Sequence, residues 1–161
     1  MRIAGVCCLI ILICTACVSH ELKAVAIEPG EMCTFCKMAI SQKRFAAELI
    51  NKQDEVFKFD EIGCMVNYLK QHPQTPAAYF VADSVSGEWL DGTTATYVRS
   101  AEFETPMSGN IVAFRDRTLA EKAAVKSHGT VCMIAVCSAG LWPAELELKG
   151  PPEAGGTNRF R

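Results

Sequence analysis

From Phe45 onward the chain alternates short apolar runs with polar breaks, on two different periods. "FAAELIN" and "EVFKF" flank the polar "KQD" and predict a hairpin of two short strands. "DEIGCMVNYLKQH" then changes to helical spacing, with Ile62, Met65, Val66 and Leu69 on one stripe and Pro73 past its end. "AAYFVAD" returns to a buried strand. The same order recurs: "TTATYV" and "NIVAF" read as strands, "RDRTLAEKAAVKSH" as a helix stopped by Gly129, and "TVCMIAV" as a strand. The junctions "VFKFDE" at 56–61 and "IVAFRD" at 111–116 stand 55 residues apart (111 − 56), which suggests two copies of one unit. The expected fold class is therefore α+β, with two small ββαβ units, about 31–84 and about 88–137. Each is too small to bury much alone, so the two are expected to form one globular body. Trp89, in the connection "SVSGEWLDG", is expected to pack between them.

The N-terminus follows neither period. Residues 1–16 carry one charge, Arg2, ahead of the apolar run "IAGVCCLIILICTA", and read as a secretory signal too short to span a bilayer stably. The run ends at "CTAC", which resembles a bacterial lipobox and makes Cys17 the expected lipidation site. Cys14 departs from that pattern, where Leu is usual. Residues 17–30 lack a strong period and read as a lipidated tether, reaching at most about 45 Å at about 3.4 Å per residue. Residues 138–161, rich in Pro and Gly, read as a poorly ordered tail.

Charge narrows the partners. The formal net charge is −2, and loss of Arg2 with the signal makes it −3 (−2 − 1). There is no basic excess for nucleic acid and no Lys/Arg cluster for anionic lipid, so membrane attachment rests on Cys17. Of the nine cysteines, Cys7, Cys8 and Cys14 leave with the signal and Cys17 takes the lipid. Cys33, Cys36, Cys64, Cys132 and Cys137 remain, an odd number that does not form a tidy disulfide framework.

"EMCTFCKMAI" gathers four sulfur side chains between Met32 and Met38. A redox dithiol is one reading, but no convincing strand precedes Cys33 and no helix-length apolar stripe follows Cys36. A structural zinc site wants a second Cys or His pair, and Cys132 and Cys137 have neither the spacing nor the direction. Haem attachment fails because Lys37 follows Cys36. The third reading is a soft metal ion, for which thiolate and thioether sulfurs are suited donors. In extended chain Cys36 and Met38 leave one face while Lys37 points away, and Cys33 reaches round through the turn. Met38 shares that face with Ile40, so a core role stays open for it. Met107, in the tight polar loop "TPMSGN", completes a three-sulfur site if the two units pack with these loops at one end.

At these residues a resemblance becomes specific. "CTFCKMAIS", "FAAELI", "FKFDEIGCMVNYL", "SGEWLDG" and "TPMSGNIVAF" follow one another as in the NosL family of copper-binding lipoproteins, in its C-x-x-C-x-M branch, from about Met32 to Gly129. The resemblance implies two paired ββαβ units and a non-enzymatic chaperone for monovalent copper, Cu(I). It also implies anchoring in the cell envelope, on the outer membrane facing the periplasm or on the cell surface. The implied partner is a copper-receiving enzyme such as nitrous-oxide reductase, or its maturation or transport complex. It places the ligands at Cys36, Met38 and Met107, with Cys33 contributed by this branch. Ser108 stands where the family more often has Gly. Cys132 and Cys137 are a local addition, a buried thiol pair or a disulfide. The alternative function is a C-x-x-C thiol-disulfide oxidoreductase. Cys64 is expected as a buried structural thiol, Asp60-Glu61 as helix capping, and His72 and His128 as complements to helix C-termini.

Overall fold

The computed structural model describes residues 21–133. Cys17, Cys137, the signal and the tail lie outside that range. The predicted order is present twice. In the first unit β1 (Ala47–Ile50) and β2 (Val56–Phe59) form an antiparallel hairpin, α1 (Ile62–Gln71) follows, and β3 (Ala78–Ala82) pairs with β1 on its other edge. A short strand, β4 (Trp89–Asp91), continues the sheet past β3. In the second unit β5 (Thr96–Arg99) and β6 (Ile111–Phe114) form the hairpin, α2 (Arg117–Lys126) follows, and β7 (Thr130–Cys132) pairs with β5. The spacing of 55 holds for the second strands (111 − 56) and for the helices (117 − 62). The hairpin loops break the repeat: five residues separate β1 from β2, and eleven separate β5 from β6. The extra length carries Met107.

The core explains why neither unit stands alone. Ile62, Met65, Val66 and Leu69 are fully buried on the stripe expected for α1. Their cluster includes Tyr97, Ile111 and Ala113 from the second unit, so both units close one apolar interior. Cys64 and Gly63, on another flank of the helix, are also buried, so the N-terminal turn of α1 is covered all round. The two sheets meet where Asp83, after β3, bridges Ala113 of β6 and its carboxylate accepts from the Arg115 N–H at 3.1 Å. Trp89 packs against the core that both units close, and it also takes a strand position the sequence does not predict. It occupies the edge strand β4 opposite Ala82 and lies half-buried on the core. Three residues between turns are too short a run for its periodicity to show.

The segment read as tether is laid against the domain from Val25 onward. The Val25 N–H donates to the fully buried Glu48 carboxylate at 3.0 Å, Ile27 is in the core, and the Lys58 ammonium donates to the Ala26 carbonyl at 2.6 Å. Burying Glu48 at the centre of a strand removes it from water, which pushes its pKa up.

Candidate metal centre

The C-x-x-C segment forms a tight knuckle. Met32 and Ala39 bridge, the Cys33 N–H donates to the Met38 carbonyl at 2.8 Å, and the Lys37 N–H donates to the Cys33 carbonyl at 3.1 Å. Lys37 turns the chain with φ 63°, the left-handed region. That single residue overturns the extended geometry expected for Cys36-Lys37-Met38. Cys36 turns inward, half-buried, whereas Met38 is 59% exposed. The knuckle is fastened to the end of β2, since the Thr34 N–H donates to the Lys58 carbonyl at 2.7 Å and Lys58 pairs with Glu31 at 2.7 Å.

That attachment sets the knuckle beside the turn from β2 into α1, which supplies two further donors. Cys33, Cys36, Cys64 and Asp60 each present a ligand atom, and all four atoms lie within 4.8 Å of one another. Cys33 is fully buried, Cys64 and Asp60 are each 2% exposed, and Cys36 forms the wet side. The Cys36 thiol donates to Asp60 Oδ2 at 3.5 Å, while Asp60 Oδ1 is buried without a hydrogen-bond partner. The thiols are electrostatically unequal. Donation from the Cys64 S–H, aided by the backbone N–H groups of Asp60 and Cys36, brings the Cys33 pKa down to about 6 against the cost of burial. Desolvation, with the Cys33 and Asp60 charges adding to it, raises Cys36 to about 11. Donating to Cys33 and burial push Cys64 far up. The apo cluster thus holds one thiolate among thiols, a negative, sulfur-rich hollow that suits a cation.

Asp60 and Glu61 do not cap α1 as expected. Glu61 occupies the N-cap position, but no side-chain cap is made. Its carboxylate crosses to the other unit, where Oε2 accepts from the N–H of Met107 at 3.1 Å and of Gly109 at 3.3 Å. Asp116, 55 residues on (116 − 61), does cap, accepting from Thr118 and Leu119 at 2.6 and 3.2 Å. One acid therefore closes a helix and its counterpart clamps a loop. The clamp needs two glycines. A Cβ on Gly109 would lie 2.4 Å from Glu61 Oε1 and 3.0 Å from the Gly63 Cα, so helix and loop meet backbone to backbone. Ser108 and Asn110 flank Gly109 with φ 58° and 59°.

The loop so held puts Met107, 48% exposed, on the wall of a cleft of about 250 Å³ that it shares with Phe35, Glu61, Cys64 and Gly109. The second-unit methionine and the inner thiol Cys64 thus border one opening. Of the residues expected as ligands, Cys33 and Cys36 sit inside the cluster, Met107 lines the adjoining cleft, and Met38 stands on the exposed knuckle. The donors missed from sequence are Asp60 and Cys64. Their i, i+4 spacing across a helix start was the available signal. His128 pairs with Glu102 at 2.8 Å, and His72 stacks on Tyr68 with centroids 4.6 Å apart. Cys132 is disulfide-bonded, its partner lying outside the described residues.

The model of the NosL family matches residues 24–138. The chain belongs to the NosL family. Among solved structures it is similar to the crystal structure of the copper chaperone NosL from Shewanella denitrificans, with 20% identity and a TM-score of 0.62. That match covers 68% of this chain and 91% of the other, and it establishes the NosL fold here. Comparison with curated proteins finds no match.

Proposed function

We propose that this NosL-family chain is a Cu(I) metallochaperone of the cell envelope. Cys17 lipidation would hold it on the outer membrane facing the periplasm, or on the cell surface. The observation that carries the reading is the packing of three thiols within 4.8 Å, beside a cleft walled by a methionine of the other unit. Thiolate and thioether sulfur are the donors monovalent copper prefers. Cys33 and Cys36 hold the ion, and Met107 and Met38 meet it at the surface, where an incoming ligand can displace them. Transfer by ligand exchange needs such an open side, and Cys36, Met38 and Met107 provide it. Tethering raises the effective concentration at the client without tight binding. The client is a copper enzyme or its maturation complex, with nitrous-oxide reductase the one the family resemblance points to.

The oxidoreductase alternative gains from the low pKa of Cys33 and loses on access. A thiolate attacks a disulfide only if the disulfide can reach it, and Cys33 is fully buried.

Competition for Cu(I) with a chromogenic chelator, on the reduced protein, tests the assignment. One ion per chain is expected. Met107→Leu and Met38→Leu are each expected to weaken binding by about 10-fold, at the low end of what outer groups contribute, without changing the denaturation midpoint. Unchanged affinity in both variants would remove the methionines from the site.

A further inference from the structure

Asp60 is the member of the cluster that a soft-ion carrier does not use. It is buried, one oxygen faces Cys36 at 3.5 Å, and the other has no hydrogen-bond partner. A buried carboxylate oxygen without a partner is costly, and monovalent copper gains little from it. A borderline divalent ion gains a ligand. Zinc takes thiolate and carboxylate donors together in a closed tetrahedron, with Zn–S about 2.3 Å and Zn–O about 2.1 Å. The edges of that tetrahedron are about 3.8 Å between sulfurs and about 3.6 Å between sulfur and oxygen. The Cys36–Asp60 edge is already 3.5 Å, and no pair of donors exceeds 4.8 Å, so short side-chain rotations close the figure. The C-x-x-C pair has no second Cys or His pair in the sequence at zinc-site spacing. The turn into α1 supplies a second pair of donors, Asp60 and Cys64.

We propose that Cys33, Cys36, Cys64 and Asp60 form a closed seat for a divalent, zinc-type ion, with Asp60 the donor that admits divalent ions. The inference shares Cys33 and Cys36 with the copper reading and does not depend on copper being the cargo. Binding converts the thiols to thiolates and releases their protons to solvent, with no change of oxidation state. A seated ion keeps the thiols from pairing as disulfides in an oxidising compartment. Copper and the divalent ion then compete for one set of sulfurs, and the oxygen donor decides the balance.

Co²⁺ is the probe, added to the reduced, metal-free full chain under nitrogen. One Co²⁺ per chain is expected, with the visible d–d bands of a tetrahedral ion and a thiolate-to-cobalt charge-transfer band, both bleached by Zn²⁺. Asp60→Asn and Cys64→Ser, near-isosteric and checked for fold by circular dichroism, each weaken Co²⁺ by at least ~10-fold. Asp60→Asn also shifts the ratio of Co²⁺ to Cu(I) affinity by at least ~10-fold toward copper. A weak octahedral spectrum without charge transfer in the wild-type chain overturns the proposal outright, as does full Co²⁺ affinity in folded Asp60→Asn. If the wild-type chain gives the tetrahedral spectrum and takes no Cu(I), the divalent seat stands and the copper reading falls.

Discussion

Glu61→Ala is expected to lower stability by about 2–4 kcal/mol, read as a lower urea midpoint, and to weaken Cu(I) binding as well. The carboxylate is 2% exposed and reaches two N–H groups of the other unit at 3.1 and 3.3 Å. Hydrogen bonds to charged groups contribute about 1.5–3 kcal/mol each, and a truncated partner leaves the donors unsatisfied. The metal consequence is geometric. Glu61 fixes the loop carrying Met107, so its loss frees one wall of the cleft while every ligand remains in the chain. Gly109→Ala should produce the same loop release from the opposite cause, by placing a methyl 2.4 Å from the Glu61 oxygen. A Glu61→Ala protein as stable as wild type, with undiminished copper affinity, would show that the clamp positions nothing.

Cys36→Ser is expected to reduce Cu(I) affinity by more than about 100-fold, the upper end of losses seen when only an outer partner is removed. Cys36 is the most exposed thiol of the cluster. The pH dependence carries a sign. Cys33 is brought down to about 6 and Cys36 is raised to about 11, so near neutrality the first is a thiolate and the second a thiol. Copper on both sulfurs releases one proton, and affinity should rise about tenfold per pH unit between about 7 and 9. Below about 6 the Cys33 proton joins and the dependence steepens. A competition titration over that range reads the slope; a flat profile would mean that the ion does not displace the Cys36 proton.

Much of this architecture is legible in the chain. The change from period two to period 3.6 marks both hairpins and both helices, and the 55-residue spacing survives in β2/β6 and α1/α2. Legibility stops where one unit meets the other. Asp116 and Glu61 occupy matching positions, yet Glu61 reaches across to the long β5–β6 loop instead of capping. Cys64 is off the apolar stripe of α1, and the Cys33–Cys36 knuckle lies against that flank, a contact no helical period reveals. Lys37 defeated the same-face argument for Cys36 and Met38 because one left-handed residue rotates everything after it. Trp89 packs on the shared core, but the edge strand that carries it has three residues, too few to show a pattern.

Sulfur from this cluster is proposed to hold monovalent copper. X-ray absorption at the copper edge, on the reduced chain loaded with one Cu(I), addresses it directly. A monovalent edge and a first shell of two or three sulfurs, losing one in Cys36→Ser, is the predicted result. A first shell dominated by nitrogen or oxygen, or one unchanged in Cys36→Ser, would contradict it.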